Sequence, residues 1–162
     1  MPNITLIINT VNAAPSQFTN HIANDFSVFD EKLLFTTEDG LYEYGGDNDG
    51  YEDIDGVSTP IPINAYFSLP VHDFGYQGEK SPRSLLLEGS ITGDIAVDLL
   101  DENGVTKTYL AEELDGADGM KVGLDTDQRS RYMQFTFKNV DGSYFSIDAA
   151  SMVFIPGAEA RK

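Results

Sequence analysis

Four aspartates crowd the stretch from Gly45 to Gly56: Asp47, Asp49, Asp53 and Asp55. Hard carboxylate oxygens at that density are what a calcium ion would use, and Gly50 and Gly56 would allow the tight turns such a loop needs. The spacing of a helix–loop–helix calcium loop nonetheless fails. With Gly50 or Gly56 at the obligatory glycine, the first ligand position falls on Gly45 or Tyr51, and no glutamate closes the loop at its twelfth position. The stretch therefore reads as a solvated acidic loop, and no metal ligand is assigned.

Other reactive side chains are sparse. The two histidines, His21 and His72, stand in polar contexts, and neither has a second histidine at ligand spacing. Gly89-Ser90-Ile91-Thr92-Gly93 carries a serine between glycines, but not at the spacing of a nucleophile elbow, and reads as a strand end and turn. With 27 acids in 162 residues, some carboxylate pair will meet glycosidase spacing by chance, so acid pairs carry no information. The glycines from Gly75 to Gly78 precede no helix and so make no phosphate loop. Arg129 and Arg131 could pair with a neighbour or, the favoured reading, with the chain's own acidic loop, an exposed interaction of small value. There is no cysteine, which excludes disulfides and thiolate chemistry. The expectation is a protein that is not an enzyme, with no catalytic, cofactor or metal residues.

Charge narrows the partners. The formal net charge is −17, and from Leu33 to Glu79 ten acids face no lysine or arginine. A phosphate backbone needs clustered bases, so nucleic acid is excluded as a partner, and an anionic membrane surface is disfavoured. No apolar run is long enough to insert as a membrane helix, and the first residues lack the basic and apolar pattern of a secretory leader.

The elements that must position these residues are strands. The run 4–11 is β-branched, and short strands are expected at 26–29, 33–36, 41–44, 63–68, 84–90, 95–99, 106–110, 120–124 and 152–155. A short helix is expected around Ser16 to Ala23, where Phe18 and Ile22 stand four apart. The clearest pattern is 131–148, two alternating runs broken at Asn139 to Gly142, which reads as a β-hairpin. Face matching favours a three-residue loop with Gly142 at positive φ. Phe137 then pairs with Phe145, Phe135 with Ile147 and Met133 with Ala149. Tyr132, Gln134, Thr136 and Lys138 form an outer face with Tyr144, Ser146 and Asp148. About ten short strands with turns between them argue an all-β antiparallel sandwich, jelly-roll-like or Ig-like. The expected division is an N-terminal strand and arm at 1–30, a β-sandwich domain at 31–156 and a short tail at 157–162.

The order of motifs adds a resemblance. Asp39-Gly-Leu-Tyr42 precedes Gly46-Asp-Asn-Asp-Gly50, then Pro62-Ile-x-Ala-Tyr-Phe67, Asp73-Phe-Gly75 with Lys80, Leu85 to Gly89 and Gly93-x-Ile-x-Val97. Arg131-Tyr-x-Gln-Phe135 and Asn139-Val-Asp-Gly-Ser-x-Phe-x-Ile-Asp148 close the series. Over residues 36–156 the chain resembles a β-rich module of tailed-bacteriophage virion structural proteins, particularly tail and tail-tip components. The resemblance implies a non-enzymatic part of a tail, tail tip or baseplate, assembled in the bacterial host cytoplasm. It implies other virion structural proteins as partners, a homo-oligomeric ring and no membrane insertion. The strand at 4–11 could add to a neighbour's sheet edge. The alternative reading is a carbohydrate- or calcium-binding adhesive, receptor-binding module that uses the acidic loop and Tyr42, Tyr44, Tyr51 and Tyr76.

Overall fold

A computed structural model describes residues 5–8, 15–18, 23–46, 48–114 and 119–157. The described residues are all-β, with antiparallel strands and no helix. The chain divides into two compact units, Met1–Asp47 and Asn48–Lys162.

In the first unit, β1 (Thr5–Ile8) pairs with β2 (Pro15–Phe18). The helix expected around Ser16 is therefore corrected for Ser16 to Phe18, because these residues lie in a ladder opposite the β-branched run. Thr19 to Ile22 lie outside the described residues. A three-stranded sheet follows, from β3 (Asp25–Phe29), β4 (Lys32–Thr36) and β5 (Leu41–Glu43). Phe35 on the central strand is buried, with Phe26 at 6.1 Å and Tyr42 at 5.5 Å between ring centroids. This sheet spans residue 30, so Asp25–Phe29, expected in the arm, is bound to β4, expected in the sandwich.

The second unit begins with a two-stranded ribbon, β6 (Tyr51–Ile54) and β7 (Val57–Pro60). A seven-stranded sheet follows: β8 (Tyr66–Ser68), β9 (Lys80–Thr92), β10 (Ile95–Asp101), β11 (Thr106–Glu113), β12 (Met120–Gly123), β13 (Met133–Asn139) and β14 (Tyr144–Pro156). Its spatial order is β14-β9-β12-β11-β10-β13-β8. The corner is β11, which pairs with β10 through Thr106 to Leu110 and with β12 through Ala111 to Glu113. The sheet curls far enough for its two edges to meet through side chains. Phe67 of β8 stacks on Phe145 of β14 at 5.9 Å and on Phe137 of β13 at 4.9 Å.

Period-two alternation accounts for the core. Ile95, Val97 and Leu99 are fully buried, as are Met133, Phe135 and Phe137 opposite them. Leu85, Leu87 and Val122 supply the other wall. Leu86, between Leu85 and Leu87 on the opposite face of β9, is half-buried. On β11 Tyr109 and Ala111 face inward and Leu110 is exposed.

The expected 131–148 hairpin ladder is overturned. Phe137 pairs with Val97 and Phe67, Phe135 with Leu99, and Met133 with Asp101, whereas Phe145 pairs with Ile91 and Ile147 with Gly89. The turn is also tighter than expected. Ser143 N–H donates to Val140 O, so only Asp141 (φ 51°) and Gly142 (φ 77°) lie at its centre. Two central residues at positive φ are the signature of a two-residue turn. Gly142 does adopt the positive φ expected of it. The physical reason for the changed pairing is the curl. Phe145 reaches apolar cover across the sheet, on Phe67, so β14 need not lie beside β13 to bury it. The runs expected at 143–148 and 152–155 are one strand, with a bulge where Asp148 is inserted between Ile147 and Ala149.

Candidate functional site

Most of the described acidic stretch is loop and turn, as expected, but Tyr51–Ile54 within it form strand β6. Glu52 opposes Thr59 and Asp53 opposes Ser58, so these neighbouring carboxylates project from opposite faces of the β6–β7 ribbon. Asp53 Oδ1 accepts the Gly56 N–H at 2.7 Å, and Asn48 Oδ1 accepts the Gly50 N–H at 3.0 Å. These side chains thus hold the local turns. Asp47 lies outside the described residues. Among the described residues no group of three or more His, Asp or Glu is placed to hold a metal ion.

The other candidates are dispersed. His72 Nδ1 accepts the Phe74 N–H at 2.7 Å, while its backbone bridges to Met133. His21 lies outside the described residues. Ser90 sits on β9 opposite Ser146, and the turn after Thr92 is where the sequence placed it. Neither Arg129 nor Arg131 forms an ion pair with a described residue; the role of Arg131 is to offer its carbonyl to Lys80. Tyr42 and Tyr44 belong to the first unit, and burial raises the Tyr44 phenol above its ordinary pKa. Tyr51 is exposed on the ribbon, and Tyr76 packs against Phe154 at 5.7 Å.

What sequence reasoning missed is a buried polar seam at one end of the curled sheet. Lys80 is fully buried. Its ammonium donates to the carbonyls of Tyr76 (2.9 Å) and Arg131, has a longer contact to Gly78 O (3.5 Å), and lies 5.8 Å from the Tyr76 ring centroid. Desolvation pushes its pKa below the ordinary lysine value, against the pull of Asp73 and Glu102. Ser130 Oγ donates to Tyr132 O and accepts the Glu102 N–H. Gln128 Nε2 donates to the carbonyls of Leu99 and Val105, and its Oε1 accepts from Tyr109 O–H. Three buried polar side chains therefore tie backbone at Tyr76–Gly78, Leu99–Val105 and Arg131–Tyr132 together beyond what the ladders supply. The one available hint was that Lys80 is the first lysine or arginine after 47 residues without one.

The outer face carries a second polar group. Asp98 receives hydrogen bonds from Lys138 and from Thr108 (2.7 Å) across both neighbouring strands. Burial alone would raise its pKa; the two hydrogen bonds and the Lys138 charge outweigh that and hold it below the ordinary aspartate value. Tyr66, Tyr132 and Tyr144 are exposed. Beside the Asp148 bulge lies an open concavity of about 880 Å³, with Glu88, Glu113 and Asp148 around Leu86 and Leu114. Its described lining offers these carboxylates, the Ser90 hydroxyl and backbone.

No family model, no curated protein and no solved structure matches the chain.

Proposed function

We propose that the chain is a non-enzymatic structural component of a tailed-phage virion, placed in the tail, its tip or the baseplate. The reading rests on one observation, the ordered motif series from Asp39 to Asp148. Its members coincide with positions the fold depends on. Gly40 and Asp73 accept hydrogen bonds that close turns, Lys80 anchors the polar seam, and Asp141-Gly142 redirects the chain between β13 and β14. A finer architecture belongs to the same proposal. With β11 as its corner, the curled sheet works as a sandwich whose halves are β8, β13 and β10 on one side and β12, β9 and β14 on the other. Assembly then proceeds through strands and loops, with other virion proteins as partners.

Immunogold labelling of purified particles from the phage that encodes the chain tests this reading. Label confined to the tail or its tip is the expected result. Label on the head, or particles lacking the chain altogether, overturns it. The adhesive alternative predicts a heat of binding on titration with millimolar calcium, and the split placement of Glu52 and Asp53 argues for none.

A further inference from the structure

Phe74 holds a backbone conformation that a bulky residue rarely adopts. Its φ is 52° and that of Gly75 is 73°, and Tyr76 N–H donates to Asp73 O at 3.0 Å. These are the marks of a tight turn whose two central residues both need positive φ, a setting that favours Asn, Asp or Gly. A phenylalanine there is strained, and it stays only while its surroundings hold it. Three contacts do so. Its N–H donates to His72 Nδ1 at 2.7 Å. Its ring stands edge-on to the His72 ring at 5.2 Å and edge-on to the buried Phe135 ring at 5.7 Å. The His72 backbone is itself fastened to Met133, donating to its carbonyl at 2.9 Å and accepting its N–H at 3.1 Å.

We propose that His72 is a proton-operated latch on Phe74, closed while the imidazole is neutral and released when it takes up a proton. The donor settles the tautomer. A backbone N–H aimed at Nδ1 requires that nitrogen to be bare, with the ring proton on Nε2. Protonation at Nδ1 sets two donors against each other, so the Phe74 N–H loses its acceptor. The new Nδ1–H has a replacement at hand, because Asp73 Oδ1 lies 3.7 Å away. A ring that turns toward it leaves Phe74 without two of its three contacts. The strained turn then relaxes and draws the Phe74 ring off Phe135, so the acid form presents apolar surface that the neutral form hides. Histidine is the side chain that changes charge between about pH 5 and 8, and this one is 60 % exposed, so its proton comes directly from solvent. The surrounding charges are few. They are Asp73 on the same loop and the buried Lys80 ammonium of β9, which Asp73 attracts. On β13 the bridging residue is the uncharged Met133, preceded by Arg131 and Tyr132, and Asp101 of β10 stands opposite Met133. Among the described residues, Asp73 is the carboxylate within ion-pair reach of the ring.

Nuclear magnetic resonance of the full-length chain, from about pH 8 to about pH 5, reads both events. In the expected result the Phe74 amide proton moves upfield and the cross-peaks between the Phe74 and Phe135 rings fade, in one step that follows the His72 ring protons. His72→Asn supplies an oxygen acceptor for the same N–H and does not titrate, so Phe74 should stay latched throughout. His21→Gln removes the other histidine and should leave the step in place. A wild-type Phe74 that keeps its amide position or its ring contact over this range overturns the proposal. So does a step that persists in His72→Asn or vanishes in His21→Gln. If His72→Asn misfolds, the wild-type titration decides by itself: a step that tracks the His72 ring protons supports the latch, and one that does not overturns it. The latch is a property of the free chain, so it and the particle reading fail separately.

Discussion

Replacing Lys80 with methionine removes the ammonium while nearly preserving side-chain volume. Two well-formed hydrogen bonds are lost, to Tyr76 O and Arg131 O, and the 3.5 Å contact to Gly78 O adds little. A hydrogen bond to a charged group contributes about 1.5–3 kcal/mol, so the gross loss is about 3–6 kcal/mol. Removing a buried charge returns part of its desolvation cost, and the net destabilisation expected is about 2–4 kcal/mol. Urea unfolding at pH 7 should show a lower midpoint with an unchanged slope, since the surface exposed on unfolding is the same. Hydrogen exchange should accelerate first in the segment from Tyr76 to Lys80, which the ammonium pins to Arg131. A midpoint within about 0.5 kcal/mol of wild type would refute the reasoning, because it would mean that the carbonyls find equal partners in water.

Gly89→Ala places a Cβ 2.0 Å from Ser146 O at a backbone φ of 150°, so β9 and β14 must shift apart; the expected cost is roughly 2–4 kcal/mol in the same assay. Gly123→Ala, where a Cβ meets nothing within 4 Å, is the control and should cost under about 1 kcal/mol; equal effects would show that the bulge is pliable. Asp98 titrates below its ordinary 3.8 in the fold, so its contribution is present above that value and is lost as pH falls through the lower folded value. The stability gap between wild type and Asp98→Asn should therefore shrink from roughly pH 5 to pH 2, and parallel profiles would refute the Lys138 and Thr108 assignment.

Strand positions were largely legible because burial on a sheet leaves a period-two trace. Ile95, Val97 and Leu99, and Met133, Phe135 and Phe137, announce an inner face, and all six are buried. Turns were legible where chemistry demands particular residues, as at Asp141-Gly142. Only the part of the acidic stretch from Tyr51 to Ile54 was missed as strand, because acids depress strand propensity while pairing with Val57 to Pro60 overrides it. The seam of Lys80, Gln128 and Ser130 left no pattern, since its partners are backbone carbonyls and any sequence supplies those.

The sequence by itself determined the all-β class, the inner row of β13 and β14 and the positive φ at Gly142. Each follows from local sterics or from alternation along one strand. Tertiary structure alone decided which strands are neighbours. Phe145 is as apolar opposite Phe137 as it is opposite Ile91, so alternation fixes a face without choosing a partner. The curl made that choice, by bringing Phe67 onto Phe145 and closing the core from its two edges. The same curl turned the 131–148 hairpin into two strands on separate parts of the sheet.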